Sequence, residues 1–489
     1  MPPACAALAG ALAGFTSSTI SAGHARQALF RSTLDGVLLL IREPQGNVGN
    51  VEAVALPGGY PYSFDEWGPW NYSSIEWLDP GQSAILGRRP AEDTAYDLMA
   101  AKGIQQTDGL GMTVAVAANV CGHRIGAGGR VYAVHYCKAG TGILKRIDVD
   151  ISDGMSVDGP FWVADLVRSD GIAISPDGKW AAFASNVTTT RGCGHPHGVL
   201  KTVSSSTLTG AAEVLAHSLQ VLPGSRYVIY LRRTGPICDD AGLSLERADL
   251  EAPSATLPLG TDLAFPLSSA LTPYQVSPDG KLLLAPRLDH ASAKAQLLAI
   301  DTTGPGKPPV LLASDLHPPG MFALSASGKH AFYVSAGPGL SVVPSGGGKP
   351  SPIASKIFWD FKTHSPGPGA FVVSETTDAV AYLEEAGPEN RLWVASGSGA
   401  TDLRHSTSAT VSSVRFVPDG RGLLLVENTP SGSTLRYVSA TGPIKTSVLG
   451  RWTTNHLGPL PYHVDPSGCA VVFDSDLEGG RTFLALIPR

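Results

Sequence analysis

The chain has 489 residues, 43% of them apolar and only 16% charged, with 56 glycines and 38 prolines. That balance suits many short strands joined by turns and argues against a helical bundle, whose sequence would be rich in Glu, Lys, Leu and Ala. A net charge of −6 with no Lys/Arg run excludes the usual electrostatic footprint of a nucleic-acid binder, and no apolar run is long enough to predict a membrane span.

In chain order, residues 1–29 come first. "MPPACAALAGALAGFTSSTISAGHAR" is apolar, small and free of acidic residues, like the apolar region and cleavage zone of a secretory signal, although no basic side chain precedes His24. The segment is expected to be a signal-like or disordered extension of an exported protein, periplasmic or secreted, with Cys5 inside it. Residues 30–110 read as an irregular part of the main domain. They contain two strand-like runs, "GVLLLIREP" (36–44) and "VEAVALP" (51–57). They also hold an aromatic cluster, Trp67, Trp70, Tyr72 and Trp77, suited to packing a cap or to stacking on a sugar or peptide.

From there the sequence repeats. "AISPDGKWAAFAS" (173–185) returns as "QVSPDGKLLLAPR" (275–287), "RFVPDGRGLLLVE" (415–427) and "HVDPSGCAVVFDS" (463–475), with weaker copies between. Turns fall near 79, 126, 176, 223, 278, 326, 376, 418 and 466, at steps of 42 to 55 residues. In each copy proline presets φ, Asp or Ser bonds local backbone N–H groups, and glycine supplies a positive φ, so two strands are joined by a tight turn. Further apolar runs complete a four-stranded unit that is marginal alone and stable when repeated.

Ser-Pro-Asp-Gly-Lys followed by an apolar strand, best at Ser175–Lys179, Ser277–Lys281 and Pro418–Arg421, resembles the blades of TolB-like propellers, which are related to WD-repeat domains. The resemblance covers roughly residues 75 to 489. It implies an all-β fold, a single β-propeller of four-stranded blades spanning 30–489, with eight blades the best fit and seven or nine as alternatives. The final run, "RTFLALIPR", reads as a third strand, so an N-terminal strand, 36–44 or 51–57, is expected to complete the last blade.

Placing every Pro-Asp-Gly turn on one face puts the loops after the second strands on the other. That face is predicted to gather His195, His197, Asp239, Asp240, Asp289, His290, Glu384, Glu427 and Asp474 as a ligand-binding surface. Cys193 and Cys238 occupy equivalent loops of adjacent repeats and are expected to pair, as are Cys121 and Cys137 across the turn near Gly126. Cys469, inside an apolar strand, reads as a buried thiol. No nucleophile elbow, phosphate loop or dinucleotide fingerprint is present. The expected function is therefore an exported binding module, recognising a protein, peptide or small ligand such as a sugar, with no cofactor. The alternative is a metal-assisted lyase or hydrolase with its site at the propeller mouth, where His195 and His197 hold a divalent cation, by architectural similarity to propeller lyases that use histidine-bound metal.

Overall fold

The computed structural model describes residues 17–21, 24–30, 36–42, 49–56, 61–63, 72–79, 83–88, 95–102, 112–150, 156–189, 196–204, 206–216, 218–224, 226–233, 243–263, 274–289, 294–304, 307–317, 321–337, 339–357, 359–360, 365–366, 371–386, 389–397, 399, 401–453, 462–476 and 481–488. Among them there is no helix. Seven of their sheets are four-stranded and antiparallel, six of them meanders that pair in chain order, and the strands between His24 and Arg168 belong to one eleven-stranded sheet. The four-stranded meander is the blade topology of a β-propeller. The chain divides into two compact units, residues 1–116 with 151–155 and 356–489, and residues 117–150 with 156–355.

Blade 1, in the second unit from Ala117 onward, is the last four strands of the eleven-stranded sheet, Met112–Ile125, Arg130–Lys138, Thr141–Asp150 and Ser156–Arg168. Blade 2 follows with Ile172–Ile174, Ala181–Thr189, Pro196–Val203 and Thr207–Leu215. Blade 3 has Gln220–Val221, Tyr227–Arg233, Leu243–Asp249 and Thr256–Leu263. Blade 4 has Gln275–Val276, Leu282–Asp289, Lys294–Asp301 and Val310–Leu316. Blade 5 has Phe322–Leu324, His330–Val334, Leu340–Pro344 and Ser351–Ala354. In the first unit, blade 6 consists of Phe371–Val373, Ala379–Ala386, Glu389–Ser396 and Thr401–Thr407. Blade 7 consists of Thr410–Phe416, Gly422–Thr429, Gly432–Ser439 and Thr446–Trp452. Blade 8 is Tyr462–Val464, Ala470–Ser475, Arg481–Leu486 and, from the other end of the chain, Ser17–Ser21.

The strand that completes blade 8 pairs Ser17 with Ala485, Ser18 with Leu484 and Thr19 with Phe483. It lies upstream of both expected candidates, inside the stretch read as a leader. Antiparallel pairing is made by backbone groups, so a polar run such as Ser-Ser-Thr-Ile-Ser can close an edge without an apolar signature. The expected candidates instead form inner strands of the N-terminal part of the eleven-stranded sheet. In that part His24–Phe30, Gly36–Arg42, Gly49–Ala55, Tyr72–Asp79, Ser83–Arg88 and Tyr96–Lys102 follow in order, with Pro61–Ser63 against Gly49–Ala55. Residues 30–110 are thus strand-rich where an irregular segment was expected, because apart from the turn near 79 their connections lack the motif on which the repeat was recognised.

The turn motif is held by a fixed set of bonds. Ser175 Oγ donates to Asp177 Oδ1 at 2.6 Å and accepts from Trp180 N at 2.9 Å, while Gly178 N reaches Ser175 O at 2.7 Å. Ser277, Asp279, Gly280 and Leu282 repeat the pattern in blade 4, and the bond from Ser277 holds the Asp279 carboxyl below its ordinary pKa. Gly178, Gly280 and Gly420 have φ of 65°, 72° and 71°, the left-handed region that the turn requires.

These glycines also lie against the preceding blade. A Cβ on Gly178 would sit 1.9 Å from Ala127 N, and one on Gly420 would sit 2.7 Å from Thr376 Oγ1. Outward from the turns, each interblade space is apolar. Tyr132, Val134 and Leu144 of blade 1 pack on Ile172, Ala181 and Phe183 of blade 2, and equivalent sets fill the spaces from blade 2 to blade 5 and from blade 6 to blade 8. Burying one such large apolar side chain stabilises by roughly 1.5–3 kcal/mol.

Gly178→Ala is expected to destabilise by more than about 2 kcal/mol in chemical denaturation, because left-handed strain adds to a backbone clash. Gly304→Ala, where nothing lies within 4 Å, serves as a neutral control. Removal of residues 1–23 should expose the Arg481–Leu486 edge and produce aggregation or a lowered melting transition, measured by light scattering and calorimetry.

Candidate functional site

Of the predicted loop-face residues, His195, Asp239, Asp240 and His290 lie outside the described residues, as do Cys193 and Cys238 and hence their expected bond. Asp289 ends its strand with its backbone opposite Lys294. His197 is half-buried inside blade 2, its Nε2 3.1 Å from Glu213 Oε1 and 3.3 Å from Thr188 Oγ1. That nitrogen is engaged within its own sheet. Among the described residues no group of three or more His, Cys, Asp or Glu is arranged to hold a metal ion.

In blade 6, Glu384 Oε2 accepts from the indole of Trp393 at 2.9 Å across the sheet. Asp474 is half-buried in a strand of blade 8, opposite Thr482, and Asp476 beyond it accepts from Thr453 N and Oγ1 at 2.6 and 2.7 Å. Glu427 departs most from expectation. The second strand of blade 7 runs on to Thr429, so Glu427 is a strand residue, 3% exposed, and not a loop ligand.

Its Oε1 lies 2.7 Å from His405 Nε2 of blade 6, and its Oε2 accepts from Arg436 Nε of blade 7 at 2.8 Å. Burial alone would raise its pKa, but the bonds from His405 and Arg436 outweigh it and hold the carboxyl below the ordinary value. The folded pKa is depressed, so this stability is present above the unfolded carboxylate pKa and is lost as pH falls through the folded one. Glu427→Gln should therefore flatten the acid limb of stability against pH in urea titrations. Glu427→Ala should cost about 2 kcal/mol or more by leaving the two basic side chains facing each other.

The surface that stands out lies on blade 1. Arg130–Lys138 and Thr141–Asp150 are joined at Ala139–Gly140, and Lys145 stands opposite Ala133 on one side and Trp162 on the other. Tyr136 is 61% exposed and Trp162 63%, with Phe161 and Leu166 also exposed at 40% and 48%. Lys145 Nζ is 5.5 Å from the centre of the Tyr136 ring, and Trp162 Nε1 donates to Asp165 Oδ1 at 3.1 Å. An ammonium thus sits over the exposed Tyr136 ring, on a strand paired on its other side with the one that carries Trp162.

The backbone beneath is forced into that presentation. Tyr136 has φ of 53° and Asn119 of 55°, and the ladder slips between Val134 and His135 on one side and between His135 and Lys138 on the other. A bulky residue in the left-handed region costs of order 1–3 kcal/mol, so its surroundings must hold it there. Three contacts do so. Cys137, next in sequence, is disulfide-bonded to Cys121 with Cα atoms 6.1 Å apart. His135, 3% exposed, donates from Nδ1 to Ala118 O at 2.9 Å, and burial pushes its pKa down so that it stays neutral. Gly142 lets the strands close up, since a Cβ there would fall 2.2 Å from His135 O.

The sequence reading missed Tyr136, Lys145 and Trp162. One signal was available: Phe161 and Trp162 are adjacent after Gly159–Pro160, and in a period-two strand two neighbouring aromatics cannot both face one core. Cys469, read as a thiol, is disulfide-bonded. Burial in an apolar strand is equally compatible with a cystine, so the pattern could not separate the two.

No family model and no curated protein matches the chain. Among solved structures it is similar to a eukaryotic initiation factor, at 12% identity over 81% of this chain and 93% of that one, with a TM-score of 0.47. It is similar to a prolyl endopeptidase, at 12% identity and a TM-score of 0.40 over 83% of this chain, a match that spans 54% of the endopeptidase. It is also similar to Sqt1 from Chaetomium thermophilum, solved bound to the N-terminus of ribosomal protein L10, at 14% identity over 84% of this chain and 94% of that one, with a TM-score of 0.38. Likeness at this level carries no functional argument.

Proposed function

We propose that the protein is an exported β-propeller that binds a protein or peptide partner through the exposed aromatic surface of blade 1. The observation that carries the reading is the pair Tyr136 and Trp162, held outward around Lys145 on a cystine-clamped sheet. Exposed aromatic side chains on a rigid support are the residues that dominate binding energy at protein interfaces. Pre-ordering them in the free protein lowers the entropy cost of association.

Export is supported by cysteine chemistry. Cys121, Cys137 and Cys469 are all disulfide-bonded, and such bonds persist in oxidising compartments. The Ser-Pro-Asp-Gly-Lys turns support grouping the blades with TolB-like repeats, whose architecture serves binding in many contexts.

The test is selection of a displayed random-peptide library on the native protein, with counter-selection on a Tyr136→Ala/Trp162→Ala variant of unchanged melting temperature. Peptides that bind the native protein and lose at least tenfold in affinity to the variant are expected. Enrichment that is absent, or equal on both proteins, would remove blade 1 as the binding surface.

A further inference from the structure

We infer that the blade 1 surface selects an acidic peptide segment flanked by apolar residues, an inference that rests on the binding role proposed above. The charges around the two aromatics divide into committed and uncommitted. Arg168 makes two bonds to the Asp170 carboxylate, at 2.7 and 2.6 Å, and Arg146 is 3.3 Å from Asp148. Asp165, the nearest acid on the strand, accepts the Trp162 indole and keeps its negative charge. Lys145 and Lys138 have no carboxylate partner among the described residues. Lys145 rests over the Tyr136 ring at 5.5 Å, and Lys138 is exposed two residues beyond that tyrosine.

The unpaired charge beside the aromatics, two lysines against the single carboxylate of Asp165, is therefore net positive. Asp158 lies further along the outer strand, opposite Asp148 and away from the lysines. A carboxylate on the partner would meet Lys145 beside the Tyr136 ring, where an ion pair is less screened than in open water. Its apolar neighbours would cover Trp162 and Tyr136. A basic segment would meet two like charges and none of these gains.

The mode of docking also follows from the strand. Ser156–Arg168 is the outer strand of its sheet, yet Pro160 has no N–H to offer, and the ladder to Thr141–Asp150 slips at three places. A partner adding as a further β-strand would find a broken edge. Recognition is thus by side chains across Tyr136, Lys145 and Trp162, with the backbone of the strand as support.

The experiment uses the full chain and three labelled synthetic twelve-residue peptides in which leucine alternates with glutamate, glutamine or lysine, read by fluorescence anisotropy. The glutamate peptide is expected to bind at least tenfold tighter than the glutamine peptide, with a preference that falls as salt rises, and the lysine peptide to bind weakest. Lys145→Glu should invert the order. Lys145→Met should remove the preference for glutamate while leaving affinity for the glutamine peptide unchanged. Equal binding of the glutamate and glutamine peptides, undisturbed by Lys145→Glu, would overturn the acidic specificity while leaving the aromatic binding role intact if Tyr136→Ala/Trp162→Ala still weakens both. Binding to phosphatidylserine vesicles but to none of the peptides would overturn the inference in favour of a lipid surface.

Discussion

The structure depends on one constraint: a tight turn whose glycine, at Gly178, Gly280 and Gly420, has positive φ and is seated against the turn of the blade before it. Where Gly178 lies beside Ala127, or Gly420 beside Thr376, there is no room for a Cβ. The same glycine lets the chain reverse in the space left by a serine and an aspartate that satisfy the local N–H groups. A turn that closes this tightly fixes where the next strand begins. It therefore fixes which apolar side chains meet across the interblade space, and the sheets pack on both faces because the turns bring them to a constant spacing.

Once spacing is set at the turns, polar groups near the far ends of the strands can be satisfied between sheets. Glu427 illustrates this. It stands on one blade and is bonded both to Arg436 beside it and to His405 on the neighbouring blade. A buried carboxylate with two basic partners is tolerable only in a geometry that does not drift. His197 with Glu213, and Glu384 with Trp393, are looser versions inside single sheets. These groups hold blades and strands in register, which is a structural use of residues whose types also suit binding.

Blade 1 departs from the pattern. Its strands are longer than those of the other blades, its ladders slip repeatedly, and several of its residues lie in the left-handed region without being glycine. The Cys121–Cys137 bond spans the irregular part and makes a strained conformation persistent. Strain so maintained, next to large exposed aromatic side chains, is better explained by a binding role than by stability, since the blade gives up burial of Tyr136 and Trp162 to present them.

Much of the fold was legible in the sequence because the turn is a local event. Ser-Pro-Asp-Gly carries its own conformational preference, and its recurrence announces repeated hairpins and an all-β chain before any contact is known. The closing strand was not legible, because Ser17–Ser21 pairs through its backbone and its side chains give no sign of it. The candidate loop face was partly misread for a similar reason: strand length decides whether Glu427 faces solvent or a neighbour, and two further residues of pairing, as far as Thr429, placed it inside. The surface on blade 1 depended on bulges, on one positive φ at Tyr136 and on which lysines the nearby carboxylates leave unpaired. The repeating turn and strand follow from local residue preferences, whereas which polar and aromatic side chains are consumed in holding the blades and which remain outside depends on register and on neighbours distant in the chain.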